Sequence, residues 1–109
     1  MELDKETQEK IQELQSYEQN INNLIFQKQT FQMELNESEN ALEEIKKTND
    51  SVFKIIGQIM IKSDKDKILK ELENKKKILS LRLESIEKQE KLLSEKSEKL
   101  RQEVMKKIK

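Results

Sequence analysis

Asp64 and Asp66, two carboxylates a single residue apart, are the nearest this sequence comes to a reactive constellation. Such a pair invites a hard cation, but acidic residues at a helix start more commonly cap the helix and meet its dipole. No other chemistry is on offer. The 109 residues contain no cysteine and no histidine, which excludes thiol nucleophiles, disulfides, Cys/His zinc sites and imidazole acid–base catalysis. No Walker loop or GxGxxG is present, so nucleotide use is not expected. The remaining lysines and carboxylates lie on solvated faces with no pocket to shift their pKa values, and neither an enzyme, a metal nor a cofactor is expected. Nucleic acid is a poor fit as well, because the lysines are interleaved with glutamates and aromatics make up only 4%.

What remains is apolar chemistry, and it is concentrated. "DSVFKIIGQIMIKSD" (50–64) places Val52, Phe53, Ile55, Ile56, Ile59, Met60 and Ile61 around Gly57, the only glycine. These β-branched and aromatic residues predict two short strands, Val52–Ile56 and Ile59–Ile61, turning at Gly57. Phe53 and Ile55 face one way, and Val52, Lys54 and Ile56 the other; Ile59 and Ile61 share a face. A lone two-stranded hairpin is marginal in water and its edges template further pairing. The segment is therefore expected to join other hairpins into a closed sheet or barrel. The plainer alternative is an apolar helix–helix loop, which leaves too many large apolar residues in solvent.

The elements that must carry this platform are helices. Charged residues are 40% of the chain and apolar residues 33%, with no proline, too little apolar material for a globular core at this length. In the first half an a-type series (Leu14, Ile21, Lys28, Leu35, Leu42) alternates with a d-type series (Tyr17, Leu24, Phe31, Ser38, Ile45). In the second half the d-type series Leu72, Leu79, Ile86, Leu93, Leu100 is wholly apolar. Its a-type series Leu69, Lys76, Leu83, Glu90, Ser97, Val104 is half apolar. Folded back antiparallel, the seams match when residue numbers add to 114, with Gly57 at the centre. Leu42 then meets Leu72, Leu35 meets Leu79, Phe31 meets Leu83 and Leu14 meets Leu100.

Charge agrees with the fold-back. Residues 1–50 carry 5 Lys against 12 Asp and Glu, a balance of −7, and residues 51–109 carry +7. The expected fold is mostly α, a long antiparallel coiled-coil helical hairpin with a short central β-hairpin that oligomerises into a β-barrel platform. A single domain spans 1–109: helix 1 over about 4–47, the β-hairpin over about 51–62, helix 2 over about 64–107. Asp4 is the expected cap of helix 1; Ser63 with Asp66 resembles a capping box for helix 2. Leu24 opposite Glu90 and Tyr17 opposite Ser97 loosen the seam away from the hairpin. Those polar residues either set register or let the helix ends part. No apolar run is long enough to cross a bilayer and no apolar stretch follows Met1, so a soluble, cytoplasmic protein without membrane contact is expected.

Helix–β-hairpin–helix with equal arms resembles a prefoldin subunit, and a single hairpin resembles the beta class. The likeness is carried by "QKQTFQMELNESENALEEI" (27–45), "VFKIIGQIMIKSDKD" (52–66) and "LESIEKQEKLLSEKSEKL" (83–100). The compact termini are similar to an archaeal beta subunit, and a Gly-rich or Met-rich tail is lacking. The resemblance implies a hexamer of two alpha-class and four beta-class subunits, with hairpins in β-barrels and coiled-coil tentacles around a cavity. It implies an ATP-independent chaperone, a holdase that binds unfolded client proteins and delivers them to a group II chaperonin. The competing reading is a structural coiled-coil adaptor with one specific partner.

On that implied function, client contact needs exposed apolar groups at the arm ends: Leu3, Ile11 and Leu14 on helix 1, and Leu100, Val104, Met105 and Ile108 on helix 2. Methionine adapts to varied surfaces. Leu14, Leu100 and Val104 also read as ordinary seam residues. Lys106, Lys107 and Lys109 form a basic end suited to an acidic chaperonin rim, or simply to a helix C-terminus. Val52, Phe53, Ile55, Gly57, Ile59 and Ile61 form the oligomerisation hairpin.

Overall fold

The computed structural model describes residues 4–108. Helix α1 (Lys5–Lys47) leads into strand β1 (Val52–Ile56), strand β2 (Ile59–Ser63) and helix α2 (Lys65–Ile108). The chain divides into two compact units. Of the described residues, a terminal unit holds 4–29 with 84–108, and a hairpin unit holds 30–83.

Each helix boundary has a local cause. The Asp4 carboxylate accepts a hydrogen bond from the Thr7 N–H at 2.7 Å, which satisfies one of the free donors of the first turn. Lys46 and Lys47 sit in the last turn of α1, where positive charge complements the helix dipole. Beyond them the Asp50 N–H donates to Thr48 Oγ1 at 3.2 Å, turning the chain toward β1. Helix α2 is capped by Asp64, whose Oδ1 accepts from the Asp66 N–H at 3.3 Å. The anticipated Ser63–Asp66 capping box does not form, because Ser63 pairs with Val52 as the last residue of β2. The first residue of α2 then reaches back: Lys65 Nζ donates to the Thr48 carbonyl at 2.9 Å.

The strands pair antiparallel from Val52 with Ser63 to Ile56 with Ile59. These numbers add to 115, so Gly57 and Gln58 share a two-residue turn and β2 runs two residues further than its apolar run. Gly57 has φ 61°, and no other described residue has positive φ. Positive φ at the first turn position alone is the type II′ pattern, whose twist suits a hairpin and whose first position favours glycine.

In the hairpin unit the helix seam is apolar and closed. Leu35, Leu79 and Leu83 are buried as one cluster with Phe31 packed against it, in the expected fold-back register. Leu79, 2% exposed, is the tightest point, and Leu42 and Ile68 are buried in the same unit. The Arg82 guanidinium lies 5.7 Å from the centre of the Phe31 ring, within cation–π range. Ser38 is a polar residue at a buried seam position, and its hydroxyl donates to the Glu34 carbonyl at 2.9 Å. That internal bond is why a serine costs little there.

The terminal unit buries Leu24, Ile86, Leu100 and Val104, but its seam is mixed. Lys28 and Glu90 are half-buried in it and form an ion pair at 3.5 Å, one turn off the direct pairing expected from the sequence. Glu90 Oε2 is shut off from solvent yet has no hydrogen-bond partner, so this is a charge contact too long to satisfy the oxygen. No helix among the described residues is long and apolar enough to cross a membrane.

Candidate functional site

The β-hairpin presents the most unusual surface of the hairpin unit. Cross-strand partners share a face, so Phe53, Ile55, Met60 and Lys62 lie on one side. Val52, Lys54, Ile56, Ile59, Ile61 and Ser63 lie on the other. Val52 is half-buried; Phe53, Ile55, Gly57, Ile59 and Ile61 are exposed, with Ile55 at 68% and Ile59 at 64%. Ile56 and Met60 are equally open, and sequence reasoning left both outside the candidate set. Apolar side chains thus face water on both sides of a two-stranded sheet.

The edges are open too. In a two-residue hairpin the pair flanking the turn exchanges both hydrogen bonds, and the pattern alternates outward. Phe53 and Ile55 therefore turn their N–H and C=O groups away from β2, and Met60 and Lys62 turn theirs away from β1. Each edge offers a short ladder to an incoming strand. One face is tethered: Lys54 Nζ bonds Glu71 Oε2 of α2 at 3.0 Å. Both side chains are nearly half exposed, so this pair contributes at most about 1 kcal/mol and mainly sets the hairpin's orientation.

The other candidate residues lie in the terminal unit, and the structure sorts them by burial. Leu100 and Val104 are buried, Ile11 and Leu14 half-buried, in the helix pairing. Met105 and Ile108 are exposed at 43% and 42% beside that seam. Leu3 and Lys109 lie outside the described residues. Lys106 and Lys107 are exposed, and Lys107 is near enough to Asp4 to help lower its pKa. The larger cause of that lowering is hydrogen bonding from Thr7, by hydroxyl and N–H. Lys107 thus serves the start of α1 as well as the charge of its own helix end.

Beside Met105 runs an open groove lined by Arg101, Gln102, Met105 and Lys106. Arg101 is held by a two-pronged bond to Glu98, Nη2 to Oε1 at 2.7 Å and Nε to Oε2 at 3.0 Å. The pairing pushes the Glu98 carboxyl below its ordinary range and the guanidinium above its own. Tyr17 donates to Glu13 Oε1 at 3.0 Å, which raises the phenol pKa. These bonds fix surface side chains on one helix and build no reactive centre. No group of three potential metal ligands occurs among the described residues, and Asp64 and Asp66 are engaged in starting α2.

Sequence reasoning also passed over exposed apolar residues on the outward helix faces: Ile25, Phe26 and Met33 of α1, and Ile78, Leu81 and Leu92 of α2. The signal was available, since each occupies a heptad position where a charge is ordinary.

Two long helices joined by a hairpin that is apolar on both faces and open on both edges define a class of assembling coiled-coil subunits. The family model "Prefoldin subunit" matches residues 8–109, and this chain belongs to that family. Prefoldin beta subunits are among its relatives. The chain is 42% identical to prefoldin subunit beta of Thermococcus onnurineus over 94 residues, 84% of this chain and 81% of that protein. It is 35% identical to prefoldin subunit beta of Methanospirillum hungatei over 103 residues, 93% of this chain and 86% of that one. The crystal structure of the prefoldin beta subunit from Thermococcus strain KS-1 superposes with a TM-score of 0.86 at 34% identity, covering 96% of this chain and 94% of the other.

Proposed function

We propose that this chain is the beta-class subunit of a hetero-oligomeric, ATP-independent chaperone that holds non-native proteins and passes them to a group II chaperonin. Membership of the prefoldin family supports the coarse part, a chaperone subunit acting beside other prefoldin subunits and outside enzyme catalysis. The finer part rests on one observation: a hairpin that exposes large apolar side chains on both faces and unpaired backbone on both edges.

Burying the exposed part of six such side chains is worth roughly 6 kcal/mol, about 1 each. Bringing two chains together costs about 4–15 kcal/mol. A single hairpin–hairpin contact is therefore weak, and a closed ring in which every hairpin uses both edges is favoured. That supports the barrel platform; a hexamer of two alpha-class and four beta-class subunits in the cytoplasm is the assembly that family membership suggests for it. Met105 and Ile108 are the favoured client contacts, with Ile11, Leu14, Leu100 and Val104 available where the helix ends part. Lys106 and Lys107 are the docking candidates together with Lys109, and Leu3 stands with the client contacts.

The test is native mass spectrometry of the complex carrying Ile55→Asp and Ile59→Asp, which charges both hairpin faces, beside the unaltered complex. The unaltered chain should form the hexamer with its alpha-class partner, and that complex should suppress aggregation of several unrelated unfolded proteins. The double variant should stay helical but fail to assemble. A complex with one specific protein and no holding activity would instead identify an adaptor.

A further inference from the structure

We propose that the outward faces of α1 and α2 in the hairpin unit form a second seam between chains, α1 of one copy against α2 of the next. The proposal rests on hairpins assembling side by side, and adds to it a lateral contact between helices that client binding does not require. Copies whose hairpins lie level place their helices at the same relative heights as the fold-back does within one chain. Residues facing across copies then also have numbers adding to 114.

Four positions on each helix satisfy this rule and point away from the intrachain seam. Met33, Glu37, Asn40 and Glu44 of α1 fall opposite Leu81, Lys77, Asn74 and Lys70 of α2. Each row steps by four, three and four residues, the spacing of a helical contact stripe. All eight are exposed, Met33 at 63% and Leu81 at 60%. The layers are apolar on apolar, acid on base, amide on amide and acid on base. Among the described residues Glu37, Glu44, Lys70 and Lys77 make no ion pair, so their charges are open to a partner.

The match is local. In the terminal unit the same rule sets Phe26, Asn23, Gln19 and Ser16 opposite Lys88, Lys91, Glu95 and Glu98, with no apolar layer and no opposite charges. At the other end Lys47 falls opposite Lys67, like charges that stop the row where α1 itself stops. Two different faces meeting head to tail make a contact that forms wherever two copies of this chain stand side by side.

Because the chain has no cysteine, introduced thiols report without background. Asn40→Cys and Asn74→Cys chains, co-expressed and mildly oxidised in the assembled complex, should form disulfide-linked dimers with each other; neither should link to itself. Glu37→Lys with Glu44→Lys in both chains should lower the yield at least about tenfold, through like-charge contacts. Adding Lys70→Glu with Lys77→Glu should restore it. An intact oligomer without this cross-link overturns the second seam and leaves hairpin assembly standing, whereas a chain that never assembles overturns both. Self-linking of Asn40→Cys, or linkage only to a different subunit, also overturns it.

Discussion

The hairpin unit and the terminal unit are built from the same two helices, yet they solve the problem of a narrow core differently. In the hairpin unit Leu35, Leu79 and Leu83 close with Phe31 into one cluster, and the buried polar seam residue, Ser38, satisfies itself on its own helix. In the terminal unit a charged pair, Lys28 and Glu90, occupies the seam and leaves an oxygen unsatisfied. One region is organised to hold, the other to hold only moderately. Under the proposed function, in which assembly and client contact fall in different regions, the difference is useful: stability is concentrated in the unit that carries the hairpin.

The comparison breaks most visibly at its tightest point. Leu79→Ala should destabilise the chain by roughly 2–5 kcal/mol, the range for a leucine lost from a packed core, read by chemical denaturation of the assembled protein. Leu100→Ala, at a buried but less tightly enclosed leucine of the terminal unit, 9% exposed against 2% for Leu79, should cost distinctly less; equal costs would remove the contrast. Next in size, replacing both Lys28 and Glu90 by leucine should stabilise by roughly 1–2 kcal/mol, as apolar replacement of a poorly satisfied seam pair often does. Slower hydrogen exchange should be confined to the terminal unit. If that variant loses stability, the pair is a register key and not a weak layer.

The smallest expected effect concerns pH. The folded Asp4 and Glu98 carboxyls lie below their ordinary values, so their contribution is present above the unfolded carboxylate range near pH 4 and is lost as pH falls through the lower folded values. Asp4→Asn keeps a capping oxygen but no titration, so it should flatten acid fraying of the first turn of α1 in amide exchange. Tyr17 runs the other way. Its raised pKa means a contribution present at neutral pH and lost as pH rises through the folded value, and Tyr17→Phe should abolish that alkaline change.

Much of this fold is legible because a coiled-coil seam is a one-dimensional pattern. The seam residues of α1 from Leu14 to Ile45 are all buried or half-buried, and in α2 only Lys76 of the series from Leu69 to Val104 is exposed. Lys76 is long enough to leave the seam and reach Glu39 at 3.8 Å. Less legible are features set by side-chain reach and by turn geometry. Lys28 spans a turn to find Glu90, a diagonal that a layer-by-layer pairing does not contain. Ser63 and Asp64 compete for the start of α2, and the competition is decided by a strand partner across the hairpin. The apolar hairpin residues are evident in the sequence, whereas the open edges require the register. Burial divides the expected contact residues of the terminal unit, because a heptad position does not say whether a leucine near a helix end is covered.

The two-residue turn at Gly57–Gln58 imposes a grammar on how such a chain can change length. One residue inserted in β2 would move every later side chain of that strand to the opposite face, exchanging the Met60 side for the Ile61 side. Insertions in the hairpin are therefore tolerated only in ways that restore parity. In the helices a gain on one arm leaves the other unmatched, so lengthening must come as paired heptads, one in α1 and one in α2. Descendants of this sequence can grow longer arms in steps of about 10 Å, but the connector between them is fixed almost to the residue.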